Sequence, residues 1–279
     1  MPFRTVVSSA ELAALASPYV IVDCRFALDD TEWGRREYLT RHIPGAVYAH
    51  LDADLAGAKT GTNGRHPLPT ADDLRRTLSR LGIGDGVQVV AYDQDSGMYA
   101  SRLWWLLRWM GHDAVAVLDG GFAGWLAEGR PTSSGNETTP ARVFAGEPHA
   151  DMVIDVDTLA QVSTSDGWRV IDARAPERYR GEVEPLDRVA GHIPGAVNHF
   201  YKHNLTEEGH YKLPDELHDL MGRYVTDVPA SHVVCYCGSG VTACHNLLAL
   251  ERAGIHGARL YPGSWSEWSS DPAREVETG

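Results

Sequence analysis

The chain has 279 residues, of which 43% are hydrophobic and 23% charged, and its formal net charge is −13. These values are typical of a globular protein that is long enough for two domains. The acidic balance, with no cluster of Lys and Arg, argues against nucleic acid or an anionic membrane surface as a partner. No apolar run approaches the ~20 residues of a spanning helix and no signal-peptide pattern begins the chain, so we expect no membrane association.

Cysteine usage indicates the redox compartment. The four cysteines are Cys24, Cys235, Cys237 and Cys244, and they form no CxxC pair. Cys235 and Cys237 are too close in the chain for an unstrained disulfide. Free thiols are typical of a reducing compartment, so we expect the protein in the cytoplasm.

An internal repeat organises the chain. Five segments of the first half recur in the same order in the second half. The pairs are residues 20–26 with 169–175, 41–48 with 191–198, 66–74 with 211–220, 87–107 with 231–250, and 115–131 with 258–272. We therefore predict two copies of one domain, residues 1–135 and 150–279, joined by a segment rich in Pro, Ser, Thr and Gly.

Within each copy, apolar runs alternate with helical patterns. In the first copy, "VIVD", "QVVAYD" and "VAVLD" are continuous apolar runs, as buried parallel strands show. Thr70 and the acidic residues after it predict the start of a helix that ends at Gly82. In the second copy, "HVVCY" predicts a strand and "TACHNLLALERAG" the helix that follows it. This alternation predicts an α/β fold, with a parallel sheet flanked by helices in each copy.

Cys237 lies in the loop "CGSGV", between that strand and that helix. Ligands of open parallel sheets bind beyond the carboxyl ends of the strands. Gly238 and Gly240 allow successive backbone N–H groups to face one centre, and the helix N-terminus adds its positive dipole end. Such a nest favours a thiolate and stabilises an anion bound at the sulfur. Cys237 is therefore interpreted as a nucleophile, the alternative being a small buried residue in a tight turn.

The first copy serves as an internal comparison, because it has Asp93 at the position of Cys237 and a second acid, Asp95, nearby. Two carboxylates repel an anionic substrate. We therefore predict that the N-terminal copy is catalytically inactive and the C-terminal copy active. Cys24, Cys235 and Cys244 are interpreted as packing residues. Residues present in both copies are interpreted as structural; they are His42 with His192, Asp23 with Asp172, and Arg25 with Arg174.

Two tandem copies with the motif "HIPGA", a terminal "YPGSWSEW" and the loop "CGSGVT" resemble the two-domain rhodanese sulfurtransferases. The resemblance covers nearly the whole chain. Within the family, the loop is similar to that of 3-mercaptopyruvate sulfurtransferases, whereas the thiosulfate-preferring members carry basic residues there. The resemblance implies a rhodanese fold in each half, a persulfide on Cys237, and no metal or organic cofactor.

The substrate-binding residues are expected on and beside the loop. Backbone N–H groups of the loop are expected to hold the negative charge on the terminal sulfur of the persulfide. They belong to residues 238–242, which include Gly238, Gly240, Val241 and Thr242. The loop has no cation for the donor carboxylate. By resemblance, Arg178 is the carboxylate-binding arginine and Arg188 the candidate for a second one. Plain surface charge is the alternative for both arginines.

The resemblance also implies a Ser-His-Asp relay that activates the donor. The serine corresponds to Ser239, the histidine to His66 and the acid to Asp52, with Asp54 as a possible substitute for Asp52. In such a relay the acid orients the histidine, and the histidine moves a proton for the serine or the donor thiol. The alternative is that Ser239 only forms a hydrogen bond within the loop.

Three functions remain open from the sequence. The first is transfer of sulfur from 3-mercaptopyruvate through Cys237 to cyanide, a thiol or thioredoxin. The second is thiosulfate sulfurtransferase activity, and the third is non-catalytic carriage of a persulfide. Phosphatase chemistry on a related loop needs an arginine where this chain has Ala243, so it is set aside.

Overall fold

The computed structural model of the protein describes residues 2–16 and 18–279. The chain divides into two compact units. Unit 1 comprises Met1–Gly57, Pro69–His149 and Thr206–Tyr211, and unit 2 comprises Ala58–Leu68, Ala150–Leu205 and Lys212–Gly279. The boundaries 1–135 and 150–279 stay a prediction, but the short segment Ala58–Leu68, which contains His66, groups with the second unit.

Unit 1 contains five parallel strands in the order β1-β5-β4-β2-β3. The strands are β1 Val6–Val7, β2 Tyr19–Asp23, β3 Val47–Tyr48, β4 Gln88–Tyr92 and β5 Val115–Leu118. The helices are α1 Ser9–Ala13, α2 Trp33–Thr40, α3 Leu51–Asp54, α4 Ala71–Arg80, α5 Ala100–Trp109 and α6 Gly121–Ala127. The α/β fold expected for the first copy is confirmed.

The strands and helix ends of unit 1 follow from local sequence. Strands β4 and β5 are buried along their whole length, which explains their unbroken apolar runs. Helix α4 begins after Thr70, whose Oγ1 accepts a hydrogen bond from the Asp73 N–H at 3.2 Å, and it stops before Gly82, where φ is +76°. Thr70 and Gly82 therefore have the capping roles that the sequence predicts.

Unit 2 repeats the arrangement with four parallel strands in the order β7-β6-β8-β9. The strands are β6 Arg169–Asp172, β7 Val197–Asn198, β8 Val233–Tyr236 and β9 Arg259–Leu260. The helices are α7 Val156–Val162, α8 Pro176–Tyr179, α9 Pro214–Gly222, α10 Thr242–Arg252 and α11 Ser264–Trp268. Short 3-10 turns occur at Ala150–Met152, Tyr201–Asn204 and Ala230–His232.

Aromatic residues of α11 complete the core of unit 2. Trp265 and Trp268 are buried together with Tyr236 and Tyr261. Arg174, at the end of β6, pairs with Asp172 at 2.6 Å and lies over the Trp265 ring. The corresponding pair of unit 1, Arg25 with Asp23, has the same distance of 2.6 Å. The same ion pair is thus present at the ends of the matching strands, which supports the structural interpretation of all four residues.

The repeated histidines also have matching contacts. His42 Nδ1 lies 2.6 Å from the carbonyl oxygen of Tyr38, and His192 Nδ1 lies 2.8 Å from that of Tyr179. Each imidazole stacks on the ring of the same tyrosine. These contacts support the structural interpretation of both histidines. Within residues 2–16 and 18–279, no helix has the length and apolar character required to cross a membrane.

Candidate active site

Cys237 is the first residue after β8, at the carboxyl end of the strand. Its N–H donates to the Ser264 hydroxyl at 3.1 Å, and its carbonyl oxygen accepts from the Trp265 N–H at 2.9 Å. The residue is 2% exposed. The backbone of Cys237 is therefore held on both sides by the first two residues of α11.

The loop after Cys237 is closed tightly before α10. Gly240 has φ +75°, and a Cβ there would lie 2.4 Å from the carbonyl oxygen of Pro262, so only glycine fits. The Cys244 thiol donates to the Gly240 carbonyl at 3.3 Å. Val241 precedes Thr242, the first residue of α10, whose N-terminus carries the partial positive charge of the helix dipole. The residues from Gly238 to Thr242 thus join the end of β8 to the N-terminus of α10, and their role in holding an anion stays a prediction.

The equivalent loop of unit 1 already holds an anion. Asp93 is fully buried at the end of β4, and its carboxylate accepts four backbone hydrogen bonds at 2.7–3.1 Å from the N–H groups of Asp95, Gly97, Tyr99 and Ala100. Burial raises the pKa of the Asp93 carboxyl, and these four hydrogen bonds oppose that shift. The loop of unit 1 is therefore an anion nest occupied by its own side chain, which leaves no nucleophile there.

Ser239 and His66 form a buried pair inside unit 2. The Nδ1 atom of His66 lies 2.7 Å from Ser239 Oγ, and the two residues are 3% and 7% exposed. They are 173 positions apart in the chain. The segment Ala58–Leu68 carries His66 to the loop because the N–H of Arg65 donates to Ser266 Oγ at 3.0 Å.

The predicted acid of the relay lies in the other unit. Asp52 is on α3 of unit 1, where its N–H donates to His50 Nδ1 at 3.1 Å. The alternative acid, Asp54, is on the same helix, accepts from the His50 N–H at 2.9 Å and pairs with Arg80. The assignment of either acid to His66 stays a prediction.

Two guanidinium groups lie beside Gly238. A Cβ at Gly238 would lie 2.8 Å from Arg65 Nη2 and 3.5 and 3.7 Å from the two terminal nitrogens of Arg178. Arg178, on α8, also pairs with Glu184 at 2.6 Å. Arg178 therefore lies beside the loop and is already in contact with an internal carboxylate. Its assignment to a donor carboxylate stays a prediction.

Arg188 is placed differently from Arg178. It is exposed and lines a cavity of about 420 Å³ in unit 2, together with Lys59 and Arg65. The atoms nearest to Gly238 come from Arg65 and Arg178 instead. The assignment of Arg188 as the second donor-binding arginine thus stays a prediction.

Two of the other cysteines lie in surroundings that disfavour a thiolate. Burial raises the pKa of Cys235, and the neighbouring thiols of Cys244 and Cys237 add to that shift. Burial likewise raises the pKa of Cys24, and the negative charge of the nearby Asp23 carboxylate raises it further. A raised pKa keeps these two thiols protonated, which supports their interpretation as packing residues.

Two residues beside the loop were not among the predicted site residues. Ser264 has φ +54° and is the one non-glycine with a positive φ among residues 2–16 and 18–279. The repeat aligns it with Gly121 of unit 1, which has φ +56°. The sequence already contains this difference, with glycine in the first copy and serine in the second, and it could have drawn attention to Ser264. Asp187, in contrast, is an ordinary acid in the sequence, and only the structure places it between Arg65 and Arg178.

Metal ligands are not grouped in the described part of the chain. Across residues 2–16 and 18–279, no set of three or more His, Cys, Asp or Glu side chains is arranged to hold a metal ion. The chemistry that the arrangement can support is nucleophilic: a cysteine over a backbone anion nest, a serine-histidine pair and two guanidinium groups.

Comparison with known proteins gives consistent matches. The family described as Rhodanese-like domain matches residues 8–128 and 155–271. The chain is 46% identical over 283 residues to a probable 3-mercaptopyruvate sulfurtransferase of Pseudomonas aeruginosa, covering 100% of both chains. It is 38% identical to a putative thiosulfate sulfurtransferase of Mycobacterium tuberculosis, covering 99% of this chain and 98% of the relative.

A solved structure gives the same match at the level of the fold. The 3-mercaptopyruvate sulfurtransferase from Leishmania major has a TM-score of 0.84 and 29% identity, covering 95% of this chain and 74% of that one. The two segments matched by the family contain the two equivalent loops, one with Asp93 and the other with Cys237.

Proposed function

The chain belongs to the rhodanese-like family and is a sulfurtransferase, and from this premise we propose that its sulfur donor is 3-mercaptopyruvate. The observation that carries the proposal is the Ser239–His66 pair, at 2.7 Å, beside a loop that has no cation of its own. Cys237 is the proposed nucleophile.

In the first half-reaction, the Cys237 thiolate attacks the sulfur of the donor. A bond forms between the two sulfur atoms, and the carbon–sulfur bond of the donor breaks. Its electron pair passes to the carbon, which becomes the enolate of pyruvate and takes up a proton. We propose that the Ser239–His66 pair supplies or relays that proton and that Asp52 is the acid that orients His66.

The donor and the persulfide carry negative charge that the site must hold. We propose that Arg178 binds the carboxylate of the donor, with Arg188 as the second candidate, since a guanidinium group matches carboxylate geometry. The backbone N–H groups of Gly238, Gly240, Val241 and Thr242 are proposed to stabilise the terminal sulfur. The carboxylate of Asp93 in the matching loop of unit 1 supports this role for the nest.

In the second half-reaction, an acceptor nucleophile attacks the terminal sulfur of the persulfide. The sulfur–sulfur bond breaks, and the Cys237 thiolate is restored. The proposed acceptors are cyanide, low-molecular-weight thiols and thioredoxin. A thiolate is both a strong nucleophile and a good leaving group, so one residue serves both halves of the reaction.

The second candidate donor is thiosulfate. Arg65 and Arg178 beside Gly238 supply the positive charge that the loop itself lacks. The relative from Mycobacterium tuberculosis that is named a putative thiosulfate sulfurtransferase gives this candidate further support. Thiosulfate is a dianion, so its binding would depend on both guanidinium groups.

We further propose a catalytic C-terminal copy, residues 150–279, and a silent N-terminal copy, residues 1–135, because Asp93 occupies its own anion nest. We propose a cytoplasmic location because the four cysteines are buried and form no disulfide.

The deciding experiment compares initial rates with 3-mercaptopyruvate and with thiosulfate, using cyanide as the acceptor, for the wild type and Cys237→Ser. We expect a large preference for 3-mercaptopyruvate and loss of turnover in the variant. A preference for thiosulfate would select the second candidate. No turnover with either donor would contradict both and favour a persulfide carrier.

A further inference from the structure

Arg65 and Asp187 form an ion pair at the edge of the loop that carries Cys237. We propose that Arg65 is an anion-binding site in its resting state, and that Asp187 occupies the site until the carboxylate or sulfonate group of a small sulfur compound displaces it. The inference rests on the proposed sulfurtransferase function for the class of ligand, and on geometry within unit 2 for everything else.

The guanidinium of Arg65 lies closer to Gly238, the residue after Cys237, than that of Arg178 does. Its Nη2 atom would lie 2.8 Å from a Cβ at Gly238, whereas the Arg178 nitrogens would lie 3.5 and 3.7 Å from it. Two guanidinium groups therefore converge on the residue that follows Cys237. A pair of planar, permanently charged groups is suited to a carboxylate or a sulfonate.

Asp187 lies where such a ligand would bind. Its side chain is 8% exposed, and its Oδ1 atom pairs with Nη1 of Arg65. Its Oδ2 atom lies 3.6 Å from Nη2 of Arg178 and has no hydrogen-bond partner among residues 2–16 and 18–279. A buried carboxylate oxygen without a hydrogen bond costs free energy. Asp187 therefore binds both arginines less well than a better-fitted anion would.

Glu184 shows what a fully bound carboxylate looks like at the same place. Its Oε1 atom accepts from Nη2 of Arg178 at 2.6 Å and from the N–H groups of Leu186 and Asp187 at 3.1 Å each. Its Oε2 atom lies 3.3 Å from Arg174. Glu184 is therefore the structural partner of Arg178, and Asp187 is the carboxylate that can be exchanged.

A cavity gives small molecules access to the ion pair. Arg65 and Asp187 both line the cavity of about 420 Å³, and its other charged residues are Lys59 and Arg188. This volume falls within the roughly 300–1,000 Å³ of small-molecule sites. Three cations against one carboxylate attract an anion locally, although the net charge of the chain is −13. The second guanidinium for the substrate is thereby assigned to Arg65 instead of Arg188.

The test measures how strongly the site attracts an anion to Cys237. Iodoacetate and iodoacetamide alkylate a thiolate by the same displacement of iodide, but only iodoacetate is charged. The ratio of their rate constants at Cys237, followed by mass spectrometry of the peptide, cancels changes in thiolate reactivity. We expect Arg65→Gln to lower the ratio about tenfold and Asp187→Asn to raise it severalfold, since each removes one charge near the thiol.

Matched controls are available in unit 2. Arg180 and Asp219 are exposed and do not line the cavity, so Arg180→Gln and Asp219→Asn should leave the ratio unchanged. Arg65→Lys keeps the charge and should give an intermediate ratio, which tests the site if Arg65→Gln does not fold. With an active donor, KM should rise in Arg65→Gln and fall in Asp187→Asn, whereas kcat should change less.

Two results would overturn the inference. An unchanged ratio in Asp187→Asn and in the Arg65 variants would mean that Arg65 does not attract anions to Cys237. A lower ratio in Asp187→Asn would mean that Asp187 supports Arg65 instead of competing for it. Because alkylation uses no sulfur donor, a lack of turnover with 3-mercaptopyruvate would reject the proposed donor without affecting this result.

Discussion

The N–H of Cys237 donates to the hydroxyl of Ser264 at 3.1 Å, and Ser264 in turn donates to the carbonyl of Tyr261 at 3.0 Å. Ser264 makes these bonds from a left-handed conformation, with φ +54°. Gly121, at the same place in unit 1, adopts φ +56° without strain and has no side chain to offer. A non-glycine residue in this conformation carries backbone strain of order 1–3 kcal/mol. In unit 2 that residue holds the backbone of Cys237.

The first prediction separates the strain of Ser264 from its hydrogen bonds. Ser264→Ala and Ser264→Gly both remove the hydroxyl and should both lower kcat, by about tenfold, because the Cys237 N–H loses its partner. Ser264→Gly should nevertheless be about 1 kcal/mol more stable than Ser264→Ala, since glycine tolerates a positive φ. Urea unfolding and steady-state rates measure both effects. Equal stability of the two variants would argue against the strain.

The second prediction concerns the Ser239–His66 pair. Ser239→Ala and His66→Gln should each lower kcat with 3-mercaptopyruvate by roughly 10²-fold, as for a general acid–base group. The double variant should lose little more than either single one, since the two residues act as a unit. A double-mutant cycle on kcat measures this. Fully additive losses would indicate that the 2.7 Å contact has no role in proton transfer.

The third prediction concerns Arg178. Arg178→Lys keeps the charge but loses the planar fork, so KM for 3-mercaptopyruvate should rise about tenfold or more. Arg180→Lys, two residues away and exposed, is the matched control and should leave KM unchanged. Initial rates over a range of donor concentrations decide the outcome. A normal KM in Arg178→Lys would place the donor carboxylate elsewhere.

The fourth prediction tests the occupied nest of unit 1. Asp93→Ala removes the acceptor of four backbone N–H groups. Each N–H group left without a partner costs about 1 kcal/mol or more, so we expect the unfolding free energy to fall by several kcal/mol. Asp95→Ala, in the same loop, retains that acceptor and should cost little. Denaturant unfolding compares the two. Similar stabilities would mean that water replaces the carboxylate.

The fifth prediction concerns pH and the buried His199. Burial lowers the pKa of His199 to about 4, the positive charge of Arg223 contributes, and the hydrogen bond to Asn204 opposes the shift. The unfolded chain, with a histidine pKa near 6.5, binds the proton first as pH falls. The contribution of neutral His199 to the unfolding free energy should therefore be fully present above about pH 6.5. The unfolding free energy should decrease by roughly 3 kcal/mol as pH falls to about 4.

Unfolding free energies between pH 7 and pH 4 check this expectation. His199→Gln should show a shallower dependence on pH, whatever its stability at pH 7. His149→Gln, which changes an exposed histidine, should keep the dependence of the wild type. An unchanged slope in His199→Gln would assign the acid loss of stability to other groups.

Sequence patterns predicted the α/β architecture because the signals are local. The apolar runs of β4 and β5, the cap at Thr70 and the glycine at position 82 act through neighbours in the chain. Because the chain is a repeat, the elements that the two copies share are each predicted from two separate segments.

The surroundings of Cys237 were predictable in part. The glycine loop and the following helix are contiguous with Cys237, so the nest was expected from sequence. The family resemblance added His66 and Ser239, which the structure brings within 2.7 Å. The structure places Arg65 next to Gly238, while the assignment of Arg188 as the second donor-binding arginine stays a prediction. Which of several arginines reaches a loop depends on how distant segments pack, so the sequence alone does not decide it.

The sequence by itself determined two α/β copies, a cysteine in the glycine loop of the second and a carboxylate in its place in the first. These features depend on periodicity, glycine spacing and the identity of single residues. Only the tertiary structure decided that Asp187 lies between Arg65 and Arg178 and that Ser264 holds the Cys237 N–H. Arg65 and Asp187 are 122 positions apart, and ion pairing over that separation exists only once the chain has folded.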